Sequence, residues 1–138
     1  MRKQRRSFLK KIGAGLAGLG LVSASISPAK AANDIKGKFV HMVFFWMKES
    51  VDDSQKKDFI KDLHDFINNV DVIKSSHVGE PAQTPREVVD NSYTYCLVVT
   101  FESKEDQDIY QEHELHKKFI EVSKDKWDRV QVYDSWAL

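Results

Sequence analysis

Cysteine is almost missing from this chain of 138 residues: the single Cys96 has no partner for an internal disulfide and excludes a cysteine zinc cluster. Acidic residues are absent between Met1 and Ala31, where seven lysines and arginines stand. Those seven, of 21 in all, mask the charge of the remaining chain. Residues 32–138 keep fourteen basic against 21 acidic side chains, a net charge near −7. A chain of that sign lacks the basic patch that phosphate binding needs, so nucleic acid is excluded as a partner. Long hydrophobic runs are lacking too. The apolar stretch Ile12 to Ile26 has fifteen residues, with glycines at 13, 15, 18 and 20. A bilayer span needs about 20, and each glycine weakens a helix. No repeats or low-complexity segments occur, and a chain of this size buries roughly 65% of its unfolded surface without staples.

The first 31 residues read as an address. Arg2 to Lys11 (RKQRRSFLKK) is cationic, the apolar run comes next, and Ala29-Lys30-Ala31 is a small-x-small cleavage pattern. This three-part order is an export signal over 1–31, to be set apart from the fold. Arg5-Arg6-Ser7-Phe8-Leu9-Lys10 resembles the twin-arginine motif, with Gln4 where serine or threonine is common. The resemblance implies export of a folded protein to the periplasm. No cysteine follows the apolar run to take a lipid, so no membrane attachment is expected after signal removal. Residues 32–38, small and polar, read as a flexible lead-in to a domain over 39–138.

Within that domain, Phe39 to Met47 (FVHMVFFWM) is dense in β-branched and aromatic residues and reads as a strand. Alternation places Phe39, His41, Val43 and Phe45 on one face and Val40, Met42, Phe44 and Trp46 on the other. Asp52 and Gln55 form a capping pair for a helix over Lys56 to Val70. Its stripe is Phe59, Ile60, Leu63, Phe66, Ile67 and Val70. A weaker strand covers Ile73 to Val78, and 82–91 reads as an exposed loop holding Pro85 and Asn91. Tyr93 to Phe101 (YTYCLVVTF) is a strand whose Tyr93, Tyr95, Leu97, Val99 and Phe101 share a face. Ser103 and Asp106 begin a second helix. Run unbroken to Val122, it would carry two opposed apolar stripes, so a bend is expected near His113 to Leu115. Val130 to Trp136 is a final strand, with Val130, Val132 and Asp134 on one face.

The order is β-α-β-β-α-β: an α+β, ferredoxin-like fold with a four-stranded antiparallel sheet. Two helices cover one sheet face only. Val40, Met42, Phe44 and Trp46 would then lie bare, which predicts a homodimer closing over that face.

The residues carry a resemblance. His41-Met-Val-Phe-Phe-Trp-Met-Lys48, Gly79, Thr100-Phe-Glu-Ser103, Tyr110-x-x-His113-x-x-His116 and Val132-Tyr-Asp-Ser-Trp136 together resemble the stress-responsive α/β-barrel (Dabb) family over about residues 39 to 136. The resemblance implies a dimeric α+β barrel. It also implies a cofactor-free site, since a characterised plant member folds a linear polyketide into a ring without one. The catalytic tyrosine and histidine of that member match Tyr110 and His116, and its strand-one histidine matches His41. Two positions depart from the pattern: Glu114 follows His113 where proline is frequent, and Tyr95 stands where the plant enzyme has a histidine. A different ligand is therefore implied.

A pocket between sheet and helices would have Phe59, Ile60, Leu63, Val43, Leu97, Val130 and Val132 as walls. Its polar points would be His41, Tyr95, Tyr110 and His116, with His113 alongside. Tyr110 and His116 are six residues apart, about 9 Å on a straight helix, so contact needs the bend. Histidine can take a proton while the phenol donates to developing oxyanion charge. Equally, both can be satisfied residues of a helix–sheet seam. His113 and His116 have metal-ligand spacing, but no third ligand is evident and His-Glu-Leu-His is one residue short of the zincin motif, so no metal is assigned. His64 reads as solvated and Cys96 as a small buried hydrophobe. Two functions stay open: an exported, stress-related module binding a small, partly apolar oxygenated molecule, or a lyase or cyclase with His116 as base and Tyr110 as hydrogen-bond donor.

Overall fold

The computed structural model describes residues 35–138. The export signal over 1–31, and 32–34 of the lead-in, lie outside the described residues. The elements run β1 (Phe39–Met47), α1 (Asp53–Ile67), β2 (Ser75–Gly79), β3 (Tyr95–Phe101), α2 (Lys104–Glu112), α3 (Glu114–Ser123) and β4 (Trp127–Trp136). The four strands form one sheet in the order β2-β3-β1-β4. Every neighbouring pair is antiparallel, so the chain has the ferredoxin-like fold.

Strand β1 is the centre of the sheet because it can be buried on one side and paired on both edges. Its residues alternate between buried and half-buried along Phe39–Phe45. Phe39, His41, Val43 and Phe45 face the helices. In register they sit beside Phe101, Val99, Leu97 and Tyr95 of β3, and beside Trp136, Asp134, Val132 and Val130 of β4. Helix α1 begins at a complete capping box, in which Asp52 accepts from the Gln55 amide and the Gln55 side chain accepts from the Asp52 amide. Its buried stripe, Phe59, Leu63, Phe66 and Ile67, continues to Val70 and forms one core with the helix-facing strand residues.

The second helix is broken where two stripes compete. His113 is extended, at φ −62° and ψ 137°, and ends α2 while capping α3. Its ring Nδ1 accepts from the Leu115 amide at 3.2 Å. Each half then turns its own face inward. α2 buries Gln107 and Tyr110, and α3 buries Phe119 and Ser123. Ile109 and Ile120, which an unbroken helix would have aligned with Tyr110, are exposed instead.

The first helix runs Asp53–Ile67 rather than Lys56 to Val70, starting directly after its cap Asp52, and three strand starts differ from the sequence reading. β2 starts at Ser75 rather than Ile73, whose amide is held in a turn by the Val70 carbonyl. β3 starts at Tyr95: the Thr94 hydroxyl accepts from the Met47 amide and closes the ladder there. Tyr93 therefore does not share the face of Tyr95; its ring packs on Phe44, 4.9 Å away, on the uncovered side. β4 starts three residues early, at Trp127, past a register shift at Trp46 and Met47. Before β1, the Lys38 amide donates to the Phe101 carbonyl and Thr100 Oγ1 donates to the Lys36 carbonyl.

Candidate functional site

Four polar side chains meet under the broken helix. His41 is 4% exposed, and its Nδ1 lies 2.6 Å from Asp134 Oδ1 of the adjacent strand. The two are register partners, so the pair is fixed by the β1–β4 ladder itself. A carboxylate only accepts, so Nδ1 carries the proton. The His41 ring meets the Tyr110 ring edge-on at 5.6 Å, and Tyr110 in turn lies 4.7 Å from the His116 ring. On a straight helix the last two would stand about 9 Å apart along the axis. The break at His113 brings them side by side.

Both members of that pair are tuned by burial. His116 Nδ1 lies 3.0 Å from the Gln111 carbonyl oxygen. A carbonyl accepts, so Nδ1 is the protonated nitrogen and Nε2 keeps its lone pair. Burial holds the His116 pKa below the usual histidine value; the Gln111 bond opposes this and the His41 charge reinforces it. Burial pushes the Tyr110 phenol far above its ordinary range, and the Asp134 charge adds to the shift. At neutral pH the site therefore presents an uncharged imidazole and an intact phenol: one proton acceptor beside one donor.

These groups line a cavity of about 200 Å³. Of the residues singled out in the sequence, His41, Val43, Leu97, Tyr110 and His116 line it, as do Val130 and Val132. Tyr95 and His113 do not. Tyr95 stacks on Phe59 at 5.8 Å and borders a separate surface depression with Lys56, Lys57 and Ile60. His113 spends its ring nitrogen on the α3 cap. Phe59 and Leu63 are fully buried core residues behind the cavity rather than its walls. Phe45, Phe66, Phe119 and Trp127 supply the apolar lining, with Gln111 and Ile120 on the helix side.

Sequence reading did not single out Asp134 as a site residue, although a lone acid on a face with Val130 and Val132 was the available signal. The Gln111 contact is made by backbone and leaves no trace in side-chain chemistry. Among the described residues, no group of three or more His, Cys, Asp or Glu is placed to hold a metal ion, and no helix is long and apolar enough to cross a membrane.

Comparison with known proteins covers this same region. Residues 39–137 match the family described as Stress responsive A/B Barrel Domain. Olivetolic acid cyclase of Cannabis sativa is 26% identical over 94 residues, covering 68% of this chain and 91% of that protein. The stress-response A/B barrel domain-containing protein HS1 of Arabidopsis thaliana is 28% identical over 101 residues, 73% of this chain and 91% of that one. Among solved structures, a dimeric ferredoxin-like protein from Thermobifida fusca superposes with a TM-score of 0.62 at 14% identity, covering 75% of this chain and 94% of its own.

Proposed function

The chain belongs to the stress-responsive A/B barrel (Dabb) family, and from that premise we propose that it binds a small, partly apolar oxygenated organic molecule in the cavity between sheet and helices. One observation carries this reading: an apolar chamber whose polar points are a neutral His116 with a free Nε2 and, 4.7 Å away, a Tyr110 phenol. A flat ligand with a carbonyl, enol or phenol group satisfies both at once. The same observation favours turnover as a second reading. His116 Nε2 removes a proton, and the Tyr110 hydroxyl donates a hydrogen bond to the oxygen on which charge develops. His41, held by Asp134, meets the Tyr110 ring edge-on. No cofactor takes part. The relationship to a cyclase supports this second reading at the level of reaction type only.

The test separates the two. His116→Ala removes the base but leaves the apolar walls. Binding that persists while turnover disappears identifies an enzyme. Ligands recovered unchanged from the wild type at every pH sink the second reading and leave the first.

The proposal extends to setting. The uncovered face of Val40, Met42, Phe44 and Trp46 supports a homodimer, and the Thermobifida fusca neighbour is described as dimeric. The twin-arginine-like opening supports export to the periplasm, which fractionation of cells producing the full chain tests directly.

A further inference from the structure

His116 belongs to both halves of the broken helix. Its backbone is the third residue of α3, inside the first turn, while its ring Nδ1 donates to the Gln111 carbonyl of α2. Its place beside the Tyr110 ring, 4.7 Å away, therefore depends on how α3 starts. One side chain sets that start. The Leu115 amide, a first-turn donor with no acceptor inside its own helix, donates to His113 Nδ1 at 3.2 Å.

The usual neutral caps, serine, threonine and asparagine, keep their acceptor at any pH, whereas histidine does not. Only the neutral ring has a lone pair on Nδ1, and in this contact its proton must sit on Nε2. A second proton removes the acceptor and sets a positive charge against the positive end of the α3 dipole. The acids around the junction are already engaged. Glu112 of α2 holds Lys117 at 2.7 Å, Asp62 and Asp65 of α1 pair with Lys126 and Lys61, and Asp134 of β4 faces His41 of β1. β3 carries no carboxylate, and on α3 Glu114 and Lys118 are exposed. A charge on His113 and one on His116 also oppose each other. Glu114 fills the first helical position, where a proline would fix the turn without any cap.

We propose that His113 is a positioning residue whose hold depends on pH. Neutral, it caps α3 and keeps His116 against Tyr110; protonated, it releases the first turn of α3 and the pair separates. The site is then competent only while His113 is neutral, a gate distinct from protonation of His116 itself. What the assembled pair does rests on the ligand-binding reading given above, whereas its assembly is measured without a ligand.

The experiment is NMR of the purified protein from about pH 8 to about pH 5, with His113 followed by its own ring Cε1 proton. As His113 titrates, the Tyr110 ring signals are expected to shift with the same midpoint. Protection of the Leu115 amide against hydrogen exchange is expected to fall about five-fold, the equivalent of one lost cap. His113→Asn supplies a cap that does not titrate. It is expected to remove the Leu115 step and to keep the Tyr110 signals at their neutral-pH positions until His116 itself protonates. Glu114→Pro fixes the first turn and suits the extended residue before it, so it is expected to hold Tyr110 in place while His113 still titrates. Tyr110 shifts of the same size and midpoint in wild type and His113→Asn overturn the proposal. So does a Leu115 amide whose protection is unchanged as His113 titrates. Both results spare the ligand-binding reading, whereas failure of phenol to bind the wild type at neutral pH overturns that reading and spares the gate.

Discussion

His116 is fixed as a base by what its other nitrogen does. Because Nδ1 donates to the Gln111 carbonyl, Nε2 keeps its lone pair, and burial resists its protonation. The acid limb of any turnover is therefore expected at a midpoint below 6.5, read from a pH–rate profile. Stability moves with the same sign. The unfolded chain takes up this proton at a higher pH than the folded one, so folding is favoured less as pH falls through and below 6.5. Urea melts of His116→Gln should show a shallower loss over that window than the wild type. Asp134 is a second residue-scale test. Asp134→Asn keeps the shape but removes the carboxylate from a 2.6 Å contact. With the Asp134 side chain 44% exposed, solvent screening discounts the charged bond to about 1 kcal/mol in a urea melt. The resemblance carried by Tyr110, His113 and His116 made two of the cavity's residues legible in the sequence. Asp134 was not, because its role depends on which residue of β1 stands opposite, and register is a property of paired strands.

Among the elements, the broken helix was the most legible feature. Two apolar stripes on opposite sides of one helix cannot both reach a single sheet, so the chain must bend between them, and it does so at His113. Strand limits were less legible. Tyr93 and Ile73 have strand-like side chains, yet hydrogen bonds at Thr94 and Ile73, invisible to propensity, end the ladders inside them. The approach to β1 provides a sharp element-scale prediction. Gly37 has φ +90°, and a Cβ placed there would stand 2.6 Å from the Phe101 carbonyl oxygen. Gly37→Ala is expected to cost at least about 1–3 kcal/mol in denaturant unfolding, since it combines left-handed strain with a backbone clash. An unchanged melt would mean that Lys36 to Lys38 do not hold this position in solution.

At the scale of the whole molecule, one sheet face is covered by three helices and the other is bare. Phe44 lies near the middle of the bare face, in edge contact with Tyr93 and Tyr133. In the proposed homodimer, Phe44→Lys would bury a charge while costing the monomer little. The expected outcome is a monomer by native mass spectrometry at micromolar concentration, with its circular dichroism unchanged. A Phe44→Lys protein that remains dimeric would move the interface to another surface. The bare face was legible from alternation in β1 alone. Four of the cavity's walls, Val43, Leu97, Val130 and Val132, were legible too, whereas Phe119 was not, because it reaches the cavity only after the break at His113.

The sheet order has a consequence for when this chain becomes a protein. The first strand pairs with the last, from Phe39 opposite Trp136 to Phe45 opposite Val130. On the ribosome, that partner is synthesised after the other described elements, so β1 waits with one edge unpaired until β4 emerges. Asp134 arrives on the same late strand, so His41 gains its acceptor at the moment the ladder closes. A chain cut off before Arg129 would therefore lack both most of the β1–β4 pairing and half of its histidine–carboxylate contact, a species for quality control to degrade.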